Sequence, residues 1–272
     1  MAVYTKQNID FFQRIKRNKP FKMPAAHFHD EHELYYLVKG STKYFIENEI
    51  FLLNAGDMIF VPKGAFHQTD YKENYNTERI LFAFDNEFAD EDIKSYIDEL
   101  TENKYIHFNI EHLYKIQDII QKIENESKKQ EKGFSDMQKL YLKQMLILIS
   151  RYRIKQNNIK FSGPYLLIQS VAKYISENCS SDLSLSKIAK KYSISPNYLS
   201  KQFKKITGVG LSEYINISRI TAAEKLLVST NLPITRIATE CGFNDSNYFA
   251  AVFKKIKGIT PKKYSLINKD IG

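Results

Sequence analysis

The chain has 272 residues, 43% of them hydrophobic, which is ample for two domains with real cores and excludes a disordered polymer. Its formal charge of +9 is unevenly placed: residues 1–160 carry 24 basic and 24 acidic side chains, residues 161–272 carry 16 and 7. Such asymmetry points to a polyanion partner, nucleic acid or an anionic membrane; the alternative is a solvated basic face that aids solubility.

Residues 1–20 read as a polar lead-in with at most one short strand or turn. From about 22 to 88, short β-type runs alternate with turn signals. The runs are LYYLVKG, TKYFIEN, EIFLL, DMIFVPKG and RILFAF, and NAGD (54–57) and PKG (62–64) are the clearest turns. Strands at this spacing predict a small barrel or sandwich. HFHDEHE runs directly into the first of them. His27 and His29 share one face by strand alternation, Glu33 has the same parity, and His32 is expected on the opposite, solvent side. By the same parity Glu33, Tyr35, Leu37 and Tyr44 are the expected lining of an effector pocket, since small barrels hold ligands of about sugar size.

The pattern then changes. DIKSYIDEL, EHLYKIQDIIQKIENESKK and SDMQKLYLKQMLILISRYRIK place apolar residues at three- and four-residue steps and predict helices. Leu113, Ile116, Ile120 and Ile123 make one stripe, which fits either packing on the barrel or a helix pair joining two chains. MLILI (145–149) is too short to cross a bilayer, and the start MAVYTKQNIDFF lacks the apolar core of a signal peptide. IKQNNIKFSGPY (154–165) is polar and reads as a linker. Cys179 and Cys241 are isolated, which excludes a CxxC zinc or redox motif and suits a reducing cytosol. A cytoplasmic protein without a membrane partner is expected.

The C-terminal part contains an internal repeat. LSKIAKKYSISPNYLSKQFKKITGVGLSEY (185–214) matches ITRIATECGFNDSNYFAAVFKKIKGITPKKY (234–264). Ile188 and Ala189 align with Ile237 and Ala238 at an offset of 49; Tyr198, Phe203, Lys204, Lys205, Gly208 and Tyr214 align with Tyr248, Phe253, Lys254, Lys255, Gly258 and Tyr264 at an offset of 50. One supersecondary unit is used twice. Ser195 is suited to cap a helix that Pro196 begins, and Asp245 to cap its counterpart. Gly242 suits a left-handed turn, for which Ser193 in the first copy is more strained. Two short helices joined by a tight turn, the second with small polar and basic residues outward, form a helix-turn-helix pattern. Tyr198, Phe203, Tyr248, Phe249 and Phe253 have the spacing of core residues. Between the copies, SEYINISRITAAEKLLVST (212–230) predicts a helix of about 27 Å, able to hold two reading helices near successive major grooves about 34 Å apart. The alternative is a pair of helical repeats that binds protein.

IA-x(8)-YLSKQFKKITG, Arg219-x(3)-AEKLL and ITRIATECGF-x(4)-YFAAVFKKIKGITPKKY resemble, over residues 167–266, the DNA-binding domain of the AraC/XylS transcriptional regulators. The resemblance implies sequence-specific binding to double-stranded DNA, usually as an activator that engages RNA polymerase. It places base contacts at Asn197, Ser200 and Lys201 and at Ser246, Asn247 and Ala251. Alanine departs from the arginine that relatives often carry at that position, and it offers only an apolar contact. The first unit is therefore expected to supply more of the specificity. Lys204, Lys205, Lys254, Lys255, Lys262 and Lys263 are expected at phosphates, together with Lys257.

The N-terminal motifs H-x-H-x(3)-E-x(6)-G (His27 to Gly40) and G-x(5)-P-x-G-x(2)-H (Gly56 to His67) resemble the two cupin motifs, although Phe21 and Tyr71 replace the flanking glycine and asparagine. In metal-binding cupins the positions of His27, His29, Glu33 and His67 hold one divalent transition metal. N-terminal domains of AraC-type regulators resemble cupins and often keep part of this pattern without using a metal, the histidines then either binding an organic effector or hydrogen-bonding across the barrel mouth. The expected architecture is α+β: a cupin-like effector-binding and dimerisation domain over 1–155, a linker over 156–165, and an all-α double helix-turn-helix domain over 166–272. The expected function is an effector-controlled, homodimeric transcription regulator, not an enzyme. The alternative is a metal-dependent cupin enzyme with a DNA-binding tail.

Overall fold

The computed structural model describes residues 3–4, 11–19, 27–70, 76–85, 91–154 and 163–269. Among the described residues the N-terminal part has ten strands: β1 (Val3–Tyr4), β2 (Phe12–Arg17), β3 (His27–Phe28), β4 (His32–Lys39), β5 (Ser41–Ile46), β6 (Glu49–Asn54), β7 (Met58–Val61), β8 (His67–Asp70), β9 (Thr77–Phe84) and β10 (Tyr105–Ile106). They form two five-stranded sheets, β1-β3-β8-β5-β6 and β10-β7-β4-β9-β2. The expected polar lead-in thus contains a full strand, because β2 pairs with β9 along its whole length. Gly56 and Gly64, in the two expected turns, have φ of +97° and +75°, conformations that glycine adopts without steric cost.

Strand alternation sorts the apolar residues into three layers. Tyr35, Leu37, Tyr44, Ile46, Leu53, Ile59, Val61 and Leu81 face inward and fill the space between the sheets. Leu34, Tyr36, Met58, Phe60, Ile80 and Phe82 face the other way and pack under helices α1 (Lys94–Glu102), α2 (Ile110–Lys129) and α3 (Phe134–Tyr152). LYYLV is continuously apolar because β4 is covered on both faces. The stripe Ile116, Ile120 and Ile123, joined by Ile119, is buried against α3 and this sheet, with Leu113 partly buried beside it. The stripe is consumed within its own domain and is not a seam between chains.

The third layer links the two halves of the molecule. Phe28, Phe45, Ile50 and Phe66, on the outer face of the β3-β8-β5-β6 sheet, belong to the core of the C-terminal helices. Those helices are α4 (Pro164–Glu177), α5 (Leu185–Lys191), α6 (Pro196–Thr207), α7 (Leu211–Ser229), α8 (Ile234–Glu240), α9 (Ser246–Lys257) and α10 (Pro261–Lys269). Residues 156–162 of the expected linker lie outside the described residues, and Pro164 and Tyr165 already belong to α4. No described helix is long and apolar enough to cross a membrane.

Candidate DNA interface and barrel histidine cluster

The repeat folds as two helix-turn-helix units, α5–α6 and α8–α9. The Ser195 hydroxyl accepts from Tyr198 N and Pro196 opens α6; the Asp245 carboxylate accepts from Asn247 N at the start of α9. Each cap satisfies one of the amides that a helix start leaves without a partner. In the turns, Gly242 has φ of +87° and Ser193 has φ of +55°. At Gly242 a Cβ would lie 2.8 Å from Ser180 O, so glycine is needed for space as well as conformation. Leu199 and Phe203 of α6, and Phe249 and Phe253 of α9, are fully buried. α7, 19 residues and about 28 Å long, separates the units. Arg219, in its middle, donates to Cys179 O and Ser181 O and lies over the Phe243 ring, tying both units to one helix.

Asn197, Ser200, Lys201 and Lys204 are exposed at helical spacing on α6; Asn247, Ala251, Lys254 and Lys255 are exposed on α9, with Ser246 half-buried. Lys262 and Lys263 are exposed on the first turn of α10. Lys205 is turned toward the barrel, where it lines a pocket with Lys43, Gln68 and Tyr165. Lys257 is a correction to the expected phosphate contacts. Its ammonium is 2.8 Å from Glu224, is 8% exposed and lies over the Phe28 ring, so it is an internal ion pair at the domain boundary. Tyr198 and Tyr248 also differ from expectation: they are 40% and 52% exposed. Each precedes the residue that takes the core position, Leu199 or Phe249, and a step of about 100° around the helix turns it outward. Asn216 of α7 donates to the Tyr248 hydroxyl at 3.0 Å.

The boundary between the halves could not be anticipated from strand patterns. Tyr214 packs on Phe45, Phe66 and Phe203. Lys43 donates to the Tyr165 hydroxyl at 2.8 Å. Gly208 sits so close to Gln68 that a Cβ would overlap its amide. The signal lay in Phe28, Phe45 and Phe66 themselves, whose parity is opposite to that of the barrel interior.

Inside the barrel mouth, His27 and His67 are direct cross-strand partners on β3 and β8. Their rings are 4.5 Å apart, and His29 is 4.8 Å from His67. One ring nitrogen from each of the three lies within 4.8 Å of the others. Glu33 joins them: its carboxylate is 2.9 Å from His29 Nε2 and 3.8 Å from His67 Nε2. Burial opposes charge on Glu33, but the surrounding imidazoles and Arg79 outweigh it and hold its pKa at about 2. Burial lowers the pKa of His67 to about 3. Burial also works against charge on His29, and Glu33 outweighs it, so that pKa is raised. His32 is not solvent-facing as its parity suggested. It is 8% exposed, accepts from Lys63 N and packs on Phe60 and Phe84, because the face of β4 opposite Glu33 is covered and not open to water. Tyr35, Leu37 and Tyr44, expected at an effector pocket, do face the interior; Tyr35 and Tyr44 pack edge to face at 5.1 Å, and Tyr44 also lines the pocket at Lys43 and Lys205.

A profile for an AraC-like ligand binding domain matches residues 10–135, and one for a helix-turn-helix domain matches residues 188–266. The HTH-type transcriptional activator RhaR of Mannheimia succiniciproducens is 27% identical over 252 residues, spanning 93% of this chain and 90% of that protein. RhaR of Escherichia coli O139:H28 is 24% identical and spans 90% and 88%. Among solved structures, the C-terminal domain of AraT, a response regulator from Geobacillus stearothermophilus, is 33% identical over 39% of this chain and 88% of its own, with a TM-score of 0.37. ToxT from Vibrio cholerae is 16% identical over 95% and 99%, with a TM-score of 0.39. With a ligand-binding barrel at its N-terminus, duplicated helix-turn-helix units at its C-terminus, and relatives that are regulators over nearly its whole length, the chain belongs to the AraC family of effector-controlled, DNA-binding transcription regulators.

Proposed function

We propose that this regulator is a transcriptional activator. It reads one face of a DNA duplex with α6 and α9 and answers to a small molecule or ion taken up by the barrel. The observation that carries this reading is the pair of capped helices, each burying an apolar face: α6 exposes Asn197, Ser200 and Lys201 in its first turns, and α9 exposes Asn247 near its start and Lys254 and Lys255 in its last turn. Such side chains suit base edges and phosphates. In this reading Asn197, Ser200, Lys201, Ser246, Asn247 and Ala251 meet bases, and Lys204, Lys254, Lys255, Lys262 and Lys263 meet phosphates. Activation follows the named relatives and implies contact with RNA polymerase. Two chains acting as a homodimer would occupy adjacent sites. Since the stripe of α2 is buried at home, the seam would have to use other residues of α2 and α3, such as the exposed Ile110, Tyr114 and Leu140.

The test is DNA affinity as a function of salt, with full-length protein and a duplex selected by it from a random pool. The logarithm of affinity should fall linearly with that of salt, with a slope of roughly −0.9 per phosphate neutralised. A flat dependence would remove the basic face from DNA.

A further inference from the structure

We propose that the effector of this regulator is a divalent transition-metal ion held by His27, His29, His67 and Glu33, and that its occupancy is passed to the DNA-binding half through Phe28 and Phe66. The inference rests on the reading above and names the ligand it left open.

The ligand atoms are already oriented. His29 Nδ1 lies 2.8 Å from Glu31 O, and His67 Nδ1 lies 3.0 Å from Ala65 O. A carbonyl only accepts, so each Nδ1 carries a proton and each ring turns its Nε2 inward. This is the outer support that metal-ligating histidines commonly have. Both Nε2 atoms are buried without a hydrogen bond. His29 Nε2 is 2.9 Å from Glu33 Oε1, and His67 Nε2 is 3.8 Å from Glu33 Oε2. Two imidazole nitrogens and a carboxylate therefore converge in a low-dielectric interior. A proton on one ring would relieve one of these approaches and leave the other nitrogen orphaned. A divalent cation relieves all of them. Imidazole–metal bonds are about 2.0–2.1 Å, so two nitrogens on a tetrahedral ion lie about 3.4 Å apart. From separations within 4.8 Å, closing on an ion draws ligand atoms together by up to about 1.4 Å. Three imidazoles and a carboxylate favour zinc, nickel, cobalt, copper or iron over magnesium or calcium.

Alternation then decides where that movement goes. Phe28 lies between His27 and His29, and Phe66 precedes His67, so each ligand-bearing segment exposes a ring on its opposite face. These rings pack together at 5.3 Å. Phe28 lies under the Lys257 ammonium of α9, and Phe66 lies 6.1 Å from Tyr214 of α7. A shift of β3 and β8 toward the ion thus acts on two helices of the DNA-binding half. The ion acts only through its different affinity for the two arrangements.

The experiment uses the full chain, stripped with a chelator and titrated with Co²⁺ and with Zn²⁺. One ion per chain by elemental analysis is expected, with the ligand-field absorption of bound Co²⁺, and neither in His29→Gln or His67→Gln. Hydrogen exchange at residues 43–50 and 206–215 should change at least about fivefold on metal addition, the lower end of usual coupling between sites. Phe66→Leu should keep the ion and lose that response. No stoichiometric uptake, or uptake unaltered by both histidine variants, overturns the site. Uptake without any change in exchange overturns the coupling. DNA binding enters neither readout, so its absence in every state would sink the preceding reading and leave these results standing.

Discussion

The Tyr214 hydroxyl donates to the Glu47 carbonyl at 2.5 Å, joining residues 167 positions apart across the boundary between barrel and DNA-binding half. Glu47 lies in the β5–β6 turn with φ of +56°, and its own amide donates to Phe66 O. Burial pushes the pKa of the Tyr214 hydroxyl up, so it remains a donor. Tyr214→Phe keeps the ring against Phe45 and Phe66 but leaves a carbonyl without its partner. Full-length protein should lose about 1–3 kcal/mol in denaturant unfolding. A loss below about 0.5 kcal/mol, the level of an inconsequential surface change, would mean that water replaces the bond.

The two turns of the repeat make a matched pair. Gly242→Ala places a Cβ against Ser180 backbone at φ of +87° and should destabilise by more than the 1–2 kcal/mol of left-handed strain alone. Ser193→Gly removes strain at φ of +55° with exposed surroundings, and should raise stability by up to about 1 kcal/mol. Thermal unfolding of both variants beside the parent checks the opposite signs.

Among the lysines, location separates effect. Lys204→Ala should weaken all duplexes alike and reduce the salt slope by about one phosphate. Lys201→Ala should weaken the selected duplex by about 1–3 kcal/mol more than a random one. Lys257→Ala should leave the salt slope unchanged and instead lower stability, because Glu224 loses its partner. A salt slope reduced by Lys257→Ala would show that the ion pair opens on DNA.

Tyr198→Ala and Tyr248→Ala test the two exposed rings at the starts of the reading helices. Each should cost DNA affinity at least about tenfold, at the lower end of what a stacked or well-packed aromatic contributes, with stability changed by under about 1 kcal/mol. Phe203→Ala and Phe253→Ala should do the reverse, losing about 3–5 kcal/mol of stability through buried cavities.

The repeat was legible in the sequence because its offsets of 49 and 50 align caps, core positions and lysines together. The three-histidine cluster was legible in part: period-two alternation brings His27 and His29 to one face, His67 came only from the resemblance to the second cupin motif, and the β3–β8 pairing places it opposite. What sequence could not supply was the use of the outer sheet face. Phe28, Phe45 and Phe66 are apolar at positions where a barrel standing alone would be polar. Only the docked helices explain them. Lys257 was misread for the same reason: its composition says surface, while its neighbours Phe28 and Glu224 come from distant segments. His32 lies on the face that parity assigns it, but that face is covered rather than open to water.

A barrel cut free before Pro164 would present Phe28, Phe45, Ile50 and Phe66 to water as one contiguous apolar patch, the kind of surface that drives aggregation. The sensor half of this regulator therefore should not be expected to behave as a soluble fragment. Dissecting it requires polar replacements at those four positions, which lie on the face opposite the histidines and so leave the cluster's own side chains intact.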